Sequence, residues 1–273
     1  MCLVRQANAY SPKDSFHRYM EGEDLSLRDR DRYRRQLIIE GFGESSQLKL
    51  KQATVGVLGV GGLGSPATMY LAAAGVGRIL LVDDQIPEMS NLNRQILHWL
   101  RDVSASRLKV ESASWKIKEM NEEVQVLERC ERVTIESISS VLGEADVILD
   151  CTDNFETRYA LNSFCVERRK PFVHAGVEGM FGQITTIVPG ETPCLKCLFP
   201  NPPPKKGELP ILGAAAGVFG SMQTAEAIKL ITGVGEPLKG QMVLGDLRTN
   251  VWERIEVKRK ESCPVCSHLG PGK

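Results

Sequence analysis

The chain has 273 residues, which is long enough for one large α/β domain with appendages. Its 34 basic and 34 acidic residues give a net charge of zero, so no overall field favours nucleic acid or an anionic membrane as a partner. No apolar run reaches membrane-spanning length, and the first residues lack the apolar core of a secretory signal, so we expect a cytoplasmic protein.

The N-terminal part of the sequence falls into two stretches. Residues 1–28 are polar, lack a sustained periodicity and contain several breakers, which predicts a mobile extension. A strongly basic helical stretch begins at Leu27 and runs to the GFG triplet at 41–43. Such a charge run is usually a solvated helix face. We expect the folded domain to span 29–273.

A glycine-rich segment follows the first apolar strand of the chain. Residues 54–58 are apolar and rich in β-branched side chains, and helix-compatible residues continue from the glycines to Ala74, which predicts a strand, a tight turn and a helix. The glycines of the turn are Gly59, Gly61, Gly62 and Gly64. Their G-x-G-x-x-G spacing is typical of a turn that binds nucleotide phosphates on free backbone N–H groups.

Several polar residues follow the next strand in a pattern that supports a nucleotide site. Asp83 closes the predicted strand after the glycine turn, where a carboxylate can hold ribose hydroxyls. The polar loop at 83–95 carries Asn91 and Arg94, and a helix predicted for about 104–120 contains Lys109. These side chains can supply the cations and the amide that a triphosphate requires.

A second acidic group follows a later strand. After a predicted strand near 124–128 and a helix near 135–142, the apolar run within 146–154 reads as a buried parallel strand. Its carboxyl end delivers Asp150 and Asp153, at the edge where open α/β sheets bind ligands.

The last third of the sequence contains helices, strands and one long loop. The predicted elements are a helix at about 155–169, strands around 171–175 and 183–188, a loop at 201–217, a helix at about 218–231 and two late strands at 243–247 and 251–257. The alternation predicts a doubly wound, Rossmann-like, mainly parallel sheet with an antiparallel C-terminal part.

Four of the eight cysteines form two Cys-x-x-Cys pairs, which are Cys194 with Cys197 and Cys263 with Cys266. Two such pairs supply the four thiolates of a closed tetrahedral zinc site, which would attach the C-terminal tail to the domain without taking part in catalysis. The sequence CPVC also resembles a thioredoxin-type redox motif, but that interpretation leaves the first pair unexplained. Cys130, Cys151 and Cys165 are expected to be buried apolar residues.

Two enzyme classes fit the nucleotide site. A dehydrogenase needs the glycines and Asp83 and then a site for hydride transfer. An enzyme that attacks the α-phosphate of ATP needs cations over the triphosphate and a carboxylate for Mg²⁺, because pyrophosphate must leave. Arg94 and Lys109 can supply the cations, and Asp153 the carboxylate.

The combination of motifs resembles the MoeB/ThiF/HesA family of ubiquitin-activating-enzyme-like adenylyltransferases. The motifs are GVGGLG at 59–64, SNLNRQ at 90–95, KVESA at 109–113, DCTDN at 150–154, GVFGSMQ at 217–223 and the two Cys-x-x-Cys pairs. The resemblance runs from about Tyr33 to Cys266, and TPCLKCLFP and AIKLITG are similar to the HesA members.

This resemblance implies a homodimer that uses Mg-ATP to adenylate the C-terminal glycine carboxylate of a small ubiquitin-like sulfur-carrier protein ending in GlyGly. It implies sulfur transfer in the biosynthesis of molybdopterin, thiamine or a related cofactor. By the same resemblance the nucleotide-binding core is at about 50–175, and a carrier-binding, zinc-bearing part is at about 176–270.

The resemblance also implies roles for individual residues. Asp83 would hold the ribose and the glycine turn would lie near the nucleotide. The phosphates would be bound by Asn91, Arg94 and Lys109, Mg²⁺ or the carrier's carboxylate by Asp153, and structural zinc by Cys194, Cys197, Cys263 and Cys266. Arg35 matches an arginine that reaches the ATP of the neighbouring subunit.

One departure concerns the loop at 201–217. Family members that form a covalent intermediate with the carrier have a cysteine in this loop, whereas here the loop contains none and carries Lys205 and Lys206. We therefore expect the reaction to stop at the acyl-adenylate, with sulfur delivered by a separate donor. The alternatives are an NAD-dependent oxidoreductase, a non-catalytic nucleotide-binding scaffold in metallocofactor assembly, and, within the family, a peptide or tRNA-base substrate.

Overall fold

The structure is a computed structural model that describes residues 24–202 and 207–270. The extension predicted for 1–28 therefore lies mostly outside the described residues, as do Lys205 and Lys206 of the long loop. Leu25, near the start of the described part, is buried with only 2% of its surface exposed.

The described residues form strands and helices in alternation over most of the chain. The strands are β1 (Thr54–Leu58), β2 (Arg78–Val82), β3 (Gln125–Arg129), β4 (Val147–Asp150), β5 (Phe172–Glu178), β6 (Phe181–Ile187), β7 (Gln241–Asp246) and β8 (Val251–Glu256). The helices are α1 (Leu27–Arg32), α2 (Arg34–Leu37), α3 (Gly43–Gln52), α4 (Gly64–Ala74), α5 (Leu100–Ser104), α6 (Lys109–Met120), α7 (Ile138–Leu142), α8 (Phe155–Arg168), α9 (Leu195–Leu198) and α10 (Gly213–Thr232). Short 3₁₀ turns lie at Met89–Asn91 and Ser267–Leu269.

All eight strands belong to one sheet, in the order β3-β2-β1-β4-β5-β6-β7-β8. The strands from β3 to β5 are parallel, and those from β5 to β8 pair antiparallel. The predicted doubly wound, mainly parallel sheet with an antiparallel C-terminal part is therefore confirmed. The strand order reverses between β1 and β4, and parallel sheets bind ligands in the crevice that such a reversal leaves at their carboxyl edge.

Helices cover both faces of the parallel part of the sheet. In β4, Val147 and Leu149 belong to one apolar cluster with residues of α4, α6 and α10, whereas Ile148 belongs to a second cluster with residues of α7 and α8. Because successive side chains of a strand point to opposite faces, a strand covered on both sides reads as a continuous apolar run. This burial explains why β1, β2 and β4 could be recognised from sequence.

Three helical segments differ from the prediction. The helix expected for 104–120 begins only at Lys109, as α6, and a separate short helix, α5, ends at Ser104. Ser106, between the two helices, adopts a positive φ of 48°. Helix α3 follows the basic stretch and was not predicted. Helix α10 begins at Gly213 rather than near residue 218. Gly213 packs closely against the loop after β2, where a Cβ would lie 2.2 Å from the Asn93 carbonyl oxygen. Among the described residues, no helix has both the length and the apolar character needed to cross a bilayer.

Candidate active site

The glycine turn lies between β1 and α4, at the reversal of the strand order. Gly59 adopts a φ of +93°, and a Cβ at this position would lie 2.7 Å from the carbonyl oxygen of Cys151. A Cβ on Gly64, the first residue of α4, would lie 1.9 Å from the Gly59 carbonyl oxygen. Only glycine therefore fits at either end of the turn, and the turn contacts the backbone that follows β4.

Asp83 lies directly after β2 and is tied to the same turn. Its Oδ2 atom accepts a hydrogen bond from Val60 N at 2.8 Å, and its Oδ1 atom accepts one from Gln85 N at 2.9 Å. Burial raises the pKa of the Asp83 carboxyl group above its ordinary value, against the lowering effect of the Lys109 charge and these two backbone donors. The carboxylate is thus held in one orientation beside the turn, and the Lys109 charge acts on it.

Lys109 is the most buried cation of the predicted site, with 3% of its surface exposed. Its Nζ atom donates to Gln85 Oε1 at 2.7 Å. Burial lowers the pKa of this ammonium group, whereas the carboxylates of Asp83 and Asp153 raise it and the Arg94 guanidinium lowers it. The charges of Asp83, Asp153 and Arg94 therefore all act on Lys109, and the net effect of burial and these charges is a pKa below the ordinary value of a lysine.

Arg94 lies over the glycine turn. A Cβ on Gly62 would lie 3.5 Å from Arg94 Cγ, so the arginine stem packs along the turn. Its Nη1 atom donates to Ser90 O at 2.8 Å and to Asn93 Oδ1 at 3.1 Å. These contacts fix the stem of Arg94 and leave further guanidinium donors for an anion.

Asn91 and Gly61 complete the predicted nucleotide residues. Asn91 accepts a hydrogen bond from Glu88 N through its Oδ1 atom at 3.1 Å, which orders the polar loop after β2. At Gly61 an added Cβ would lie 3.6 Å from Gln95 Nε2, so this part of the turn is less crowded than its ends.

Two predicted site residues have exposed side chains. Asp153 follows β4 and is exposed, and its charge acts on Lys109. Arg35 is exposed on the short helix α2 and is not among the charges that act on Lys109. The structure therefore brings the Asp153 charge within reach of Lys109, one of the predicted nucleotide residues, whereas Arg35 faces solvent.

A buried polar network behind the glycine turn was missed at the sequence level. His98 Nε2 lies 2.8 Å from Val60 O, and His98 Nδ1 lies 3.0 Å from Ser112 Oγ. Lys116 Nζ donates to Ser112 Oγ at 2.8 Å and also pairs with Asp102. Burial lowers the pKa of His98 to about 4, so at neutral pH the ring is uncharged and donates its single N–H to the Val60 carbonyl. The network therefore fixes Val60, the residue whose N–H group also holds Asp83.

Asp150 corrects the sequence-based expectation for the edge of β4. It was expected to face a ligand, but it is completely buried. Its Oδ2 atom lies 2.7 Å from His174 Nδ1 and 3.7 Å from Arg158 Nε, and its Oδ1 atom accepts from the Thr152 hydroxyl at 2.7 Å. Burial opposes ionisation, but the His174 hydrogen bond and the Arg158 charge outweigh it and hold the pKa of Asp150 below its ordinary value.

The four cysteines of the two Cys-x-x-Cys pairs meet in one buried cluster. Their Sγ atoms all lie within 4.8 Å of one another, and the two pairs interleave, with Cys194 at 3.6 Å from Cys263 and Cys197 at 3.5 Å from Cys266. A tetrahedron with Zn–S bonds of about 2.3 Å has edges of about 3.8 Å, so the cluster fits one zinc ion. A separate redox pair at 263–266 is not the arrangement found.

The surroundings of the cysteine cluster also suit a thiolate-bound metal. Asn162 Nδ2 donates to Cys194 Sγ at 3.7 Å, and Lys260 N donates to Cys197 Sγ at 3.4 Å. Without a bound cation, burial raises the pKa of Cys197 to about 11, which a divalent metal would reverse by stabilising the thiolate. All four ligands come from the protein, so the metal would have no open position for catalysis.

The remaining described cysteines divide into two environments. Cys151 and Cys165 are buried as expected, and burial raises the pKa of both thiols. Cys130 is exposed, which corrects the expectation that it is a core residue. It lies just after β3, the strand at one edge of the sheet.

Comparison with known proteins agrees with this geometry. Residues 33–265 match the model of the ThiF family. Protein HesA, vegetative, of Trichormus variabilis is 42% identical over 245 residues, which is 89% of this chain and 91% of that protein. Adenylyltransferase and sulfurtransferase MOCS3-1 of Drosophila pseudoobscura pseudoobscura is 42% identical over 251 residues, which is 89% of this chain and 55% of that protein.

Solved structures share the fold as well. The crystal structure of E. coli MccB with ATP superposes with a TM-score of 0.78 at 27% identity, over 86% of this chain and 74% of that one. The matched family covers most of the chain, including the glycine turn, the charged residues around it and all but the last of the four clustered cysteines. The chain belongs to the ThiF family and is an adenylyltransferase.

Proposed function

We propose that this adenylyltransferase activates the C-terminal glycine carboxylate of a small ubiquitin-like sulfur-carrier protein ending in GlyGly. A carboxylate oxygen attacks the α-phosphorus of ATP, the bond between that phosphorus and the oxygen bridging to the β-phosphate breaks, and pyrophosphate leaves. The products are the carrier's acyl-adenylate and pyrophosphate. We place the reaction in the cytoplasm, and its product in the biosynthesis of molybdopterin, thiamine or a related cofactor.

The observation that carries this proposal is that Asp83 and Arg94 contact the glycine turn at the reversal of the strand order. The charges of both residues and of Asp153 also act on Lys109. Two cations beside the turn suit a triphosphate, because negative charge develops on the phosphate oxygens as pyrophosphate departs. With a family of adenylyltransferases assigned, the oxidoreductase interpretation of the glycine spacing is dropped.

Each predicted residue takes one role in this proposal. Asp83 binds the ribose, and the turn formed by Gly59, Gly61, Gly62 and Gly64 lies against the nucleotide. The phosphates are bound by Asn91, Arg94 and Lys109. Asp153 holds Mg²⁺ or orients the incoming carboxylate; an exposed carboxylate whose charge reaches the phosphate-binding lysine suits either task.

We further propose that the active unit is a homodimer in which Arg35 of one subunit contacts the ATP of the other. The exposed position of Arg35, separate from the charges of its own site, supports a role in a second subunit. The four-cysteine cluster holds a structural zinc ion that attaches the residues after β8 to the body of the domain. We also assign the carrier-binding surface to the zinc-bearing part at about 176–270.

The absence of cysteine from the sequence at 201–217 supports a reaction that ends at the acyl-adenylate. A separate protein or a small thiol then supplies sulfur to the activated carboxylate. A covalent, thiol-labile adduct between this chain and a carrier would contradict that part of the proposal.

The test is pyrophosphate–ATP exchange by the purified chain with Mg²⁺, with and without small GlyGly-ending proteins. We expect exchange only with a carrier protein. Arg94→Ala and Lys109→Ala should abolish the exchange, whereas Lys118→Ala, which removes an exposed lysine from the same helix as Lys109, should leave it unchanged. ATP binding without exchange with any such protein would favour a non-catalytic scaffold, and exchange with a free peptide would change the substrate class.

A further inference from the structure

Each polar group of Thr152, the residue before Asp153, has a hydrogen-bond partner. Thr152 N donates to Asp150 Oδ1 at 3.2 Å, and the Thr152 hydroxyl donates to the same oxygen at 2.7 Å. The Thr152 carbonyl accepts a hydrogen bond from Arg158 Nη2 at 2.6 Å. Because consecutive residues share a peptide plane, fixing Thr152 O also fixes the start of Asp153.

The groups that hold Thr152 are themselves buried and tied to the sheet. Asp150 is completely buried and pairs with His174, which lies opposite it in the register of β4 and β5. Arg158, on α8, is 8% exposed and its Nη2 atom also lies 3.5 Å from the Ala175 carbonyl of β5. A carboxylate at the end of one strand and a guanidinium from the next helix thus clamp the turn between them.

This arrangement has an energetic cost that asks for an explanation. Burying an ion pair and a histidine in an apolar interior rarely adds stability relative to apolar residues of the same volume. Two atoms of the cluster, Arg158 Nε and His174 Nε2, are buried without a hydrogen-bond partner among the described residues. Because the cluster donates to and accepts from Thr152, it supports the backbone next to the exposed Asp153 carboxylate.

We propose that Arg158 and Asp150 are positioning residues that fix the direction of the Asp153 carboxylate toward the nucleotide site. This inference rests on the proposed function, because it gives Asp153 its role in adenylation. Arg158 contacts the Thr152 carbonyl and does not need to touch ATP or the carrier. Asp150 holds the Thr152 hydroxyl and N–H and neutralises the buried guanidinium.

The test combines substitutions at 158 and 153 in the full chain with its carrier. Arg158→Lys keeps the charge but loses the planar group that reaches both Thr152 O and Ala175 O. We expect kcat of pyrophosphate–ATP exchange to fall about 100-fold, as for a catalytic group displaced by about 1 Å, with KM for ATP changed less than about twofold. Arg168→Lys, an exposed arginine on the same helix, should leave both parameters unchanged.

Asp153→Asn provides the background that separates positioning from general support of the fold. If Arg158 acts through Asp153, Arg158→Lys should have no further effect on the residual rate of Asp153→Asn. Additive losses in the double variant, or a higher KM with an unchanged kcat, would overturn the inference.

Substitution of Thr152 provides a second route in case Arg158→Lys does not fold. Thr152→Val removes only the hydroxyl bonded to Asp150 and should lower kcat. Thr152→Ser keeps that hydroxyl and should therefore keep the wild-type kcat. Equal rates for these two variants would overturn the inference. Absence of exchange in the unsubstituted chain would overturn the proposed function and this inference together. If the unsubstituted chain is active, additive losses of rate from the substitutions at 153 and 158 would overturn this inference alone.

Discussion

The titration of His98 gives a quantitative test of the network behind the glycine turn. Its pKa of about 4 in the folded chain lies below the value of about 6.5 expected for an unfolded histidine. The unfolded chain therefore takes up the proton at a higher pH than the folded chain does. It follows that the contribution of neutral His98 to the free energy of unfolding is fully present above pH 6.5 and is lost as the pH falls from 6.5 towards 4.

The size of this effect follows from the two pKa values. One pKa unit corresponds to about 1.4 kcal/mol, so the complete loss is about 3 kcal/mol at a pH below both values. At pH 5 most of the unfolded histidine and little of the folded histidine carries the extra proton. The free energy of unfolding should then be about 2 kcal/mol smaller on account of His98 alone.

The assay is urea unfolding of the wild-type chain and of His98→Gln at pH 7, 6 and 5. His98→Gln removes the ionisable ring but keeps a side-chain N–H donor that can reach Val60 O. The variant should be less stable than the wild type at pH 7. The difference between their free energies of unfolding should shrink by about 2 kcal/mol between pH 7 and pH 5, because glutamine cannot take up a proton when the variant unfolds.

Two results would bear on the reasoning. Replacement of the exposed His268, by His268→Gln, should leave the wild-type pH dependence in place. A gap between wild type and His98→Gln that stays constant from pH 7 to pH 5 would refute the assignment of a buried, neutral His98.

Two further substitutions test the metal cluster and the glycine turn. Cys266→Ser should reduce bound zinc from about one ion per chain to nearly none and lower the melting temperature by at least about 5 °C. Cys130→Ser, which replaces an exposed thiol, should change neither quantity. A zinc content of Cys266→Ser equal to that of the wild type would contradict the four-thiolate site. Gly64→Ala should destabilise the fold by about 1–3 kcal/mol and weaken ATP binding, because its Cβ would overlap Gly59 O. Gly217→Ala should instead stabilise α10 by about 0.5–1 kcal/mol, because its Cβ would meet no atom within 4 Å beyond the neighbouring backbone of its own helix. Calorimetric ATP titration and urea unfolding of both glycine variants check this, and equal effects of the two would argue against a close-packed turn.

The parts of the fold that were predictable from sequence are those with a local signal. Strands β1, β2 and β4 are covered on both faces, so they appear as short apolar runs between breakers. The turn after β1 needs glycine because the Cys151 carbonyl approaches it closely, and that requirement appears as a spacing of glycines. Asp83 follows from its position at the end of the second strand.

The support of the site could not be predicted because it depends on contacts between distant segments. Asp150 and His174 become partners only through the register of β4 and β5, and either could have faced solvent at a strand end. Arg158 lies on a helix with other charged residues and nothing in its local sequence distinguishes it from them. The exposure of Cys130 likewise depends on what covers the edge of the sheet, which no local pattern records.

The central claim is that the carrier's carboxylate attacks the α-phosphate of ATP. It is tested most directly by incubating the chain, Mg²⁺ and the carrier with ATP labelled on either the α- or the γ-phosphate, and then isolating the carrier under acidic conditions that preserve an acyl phosphate bond. If the carboxylate attacks the α-phosphate, the carrier will retain the α-label and the γ-label will leave as pyrophosphate. Retention of the γ-label on the carrier, or of neither label despite ATP consumption, would contradict it.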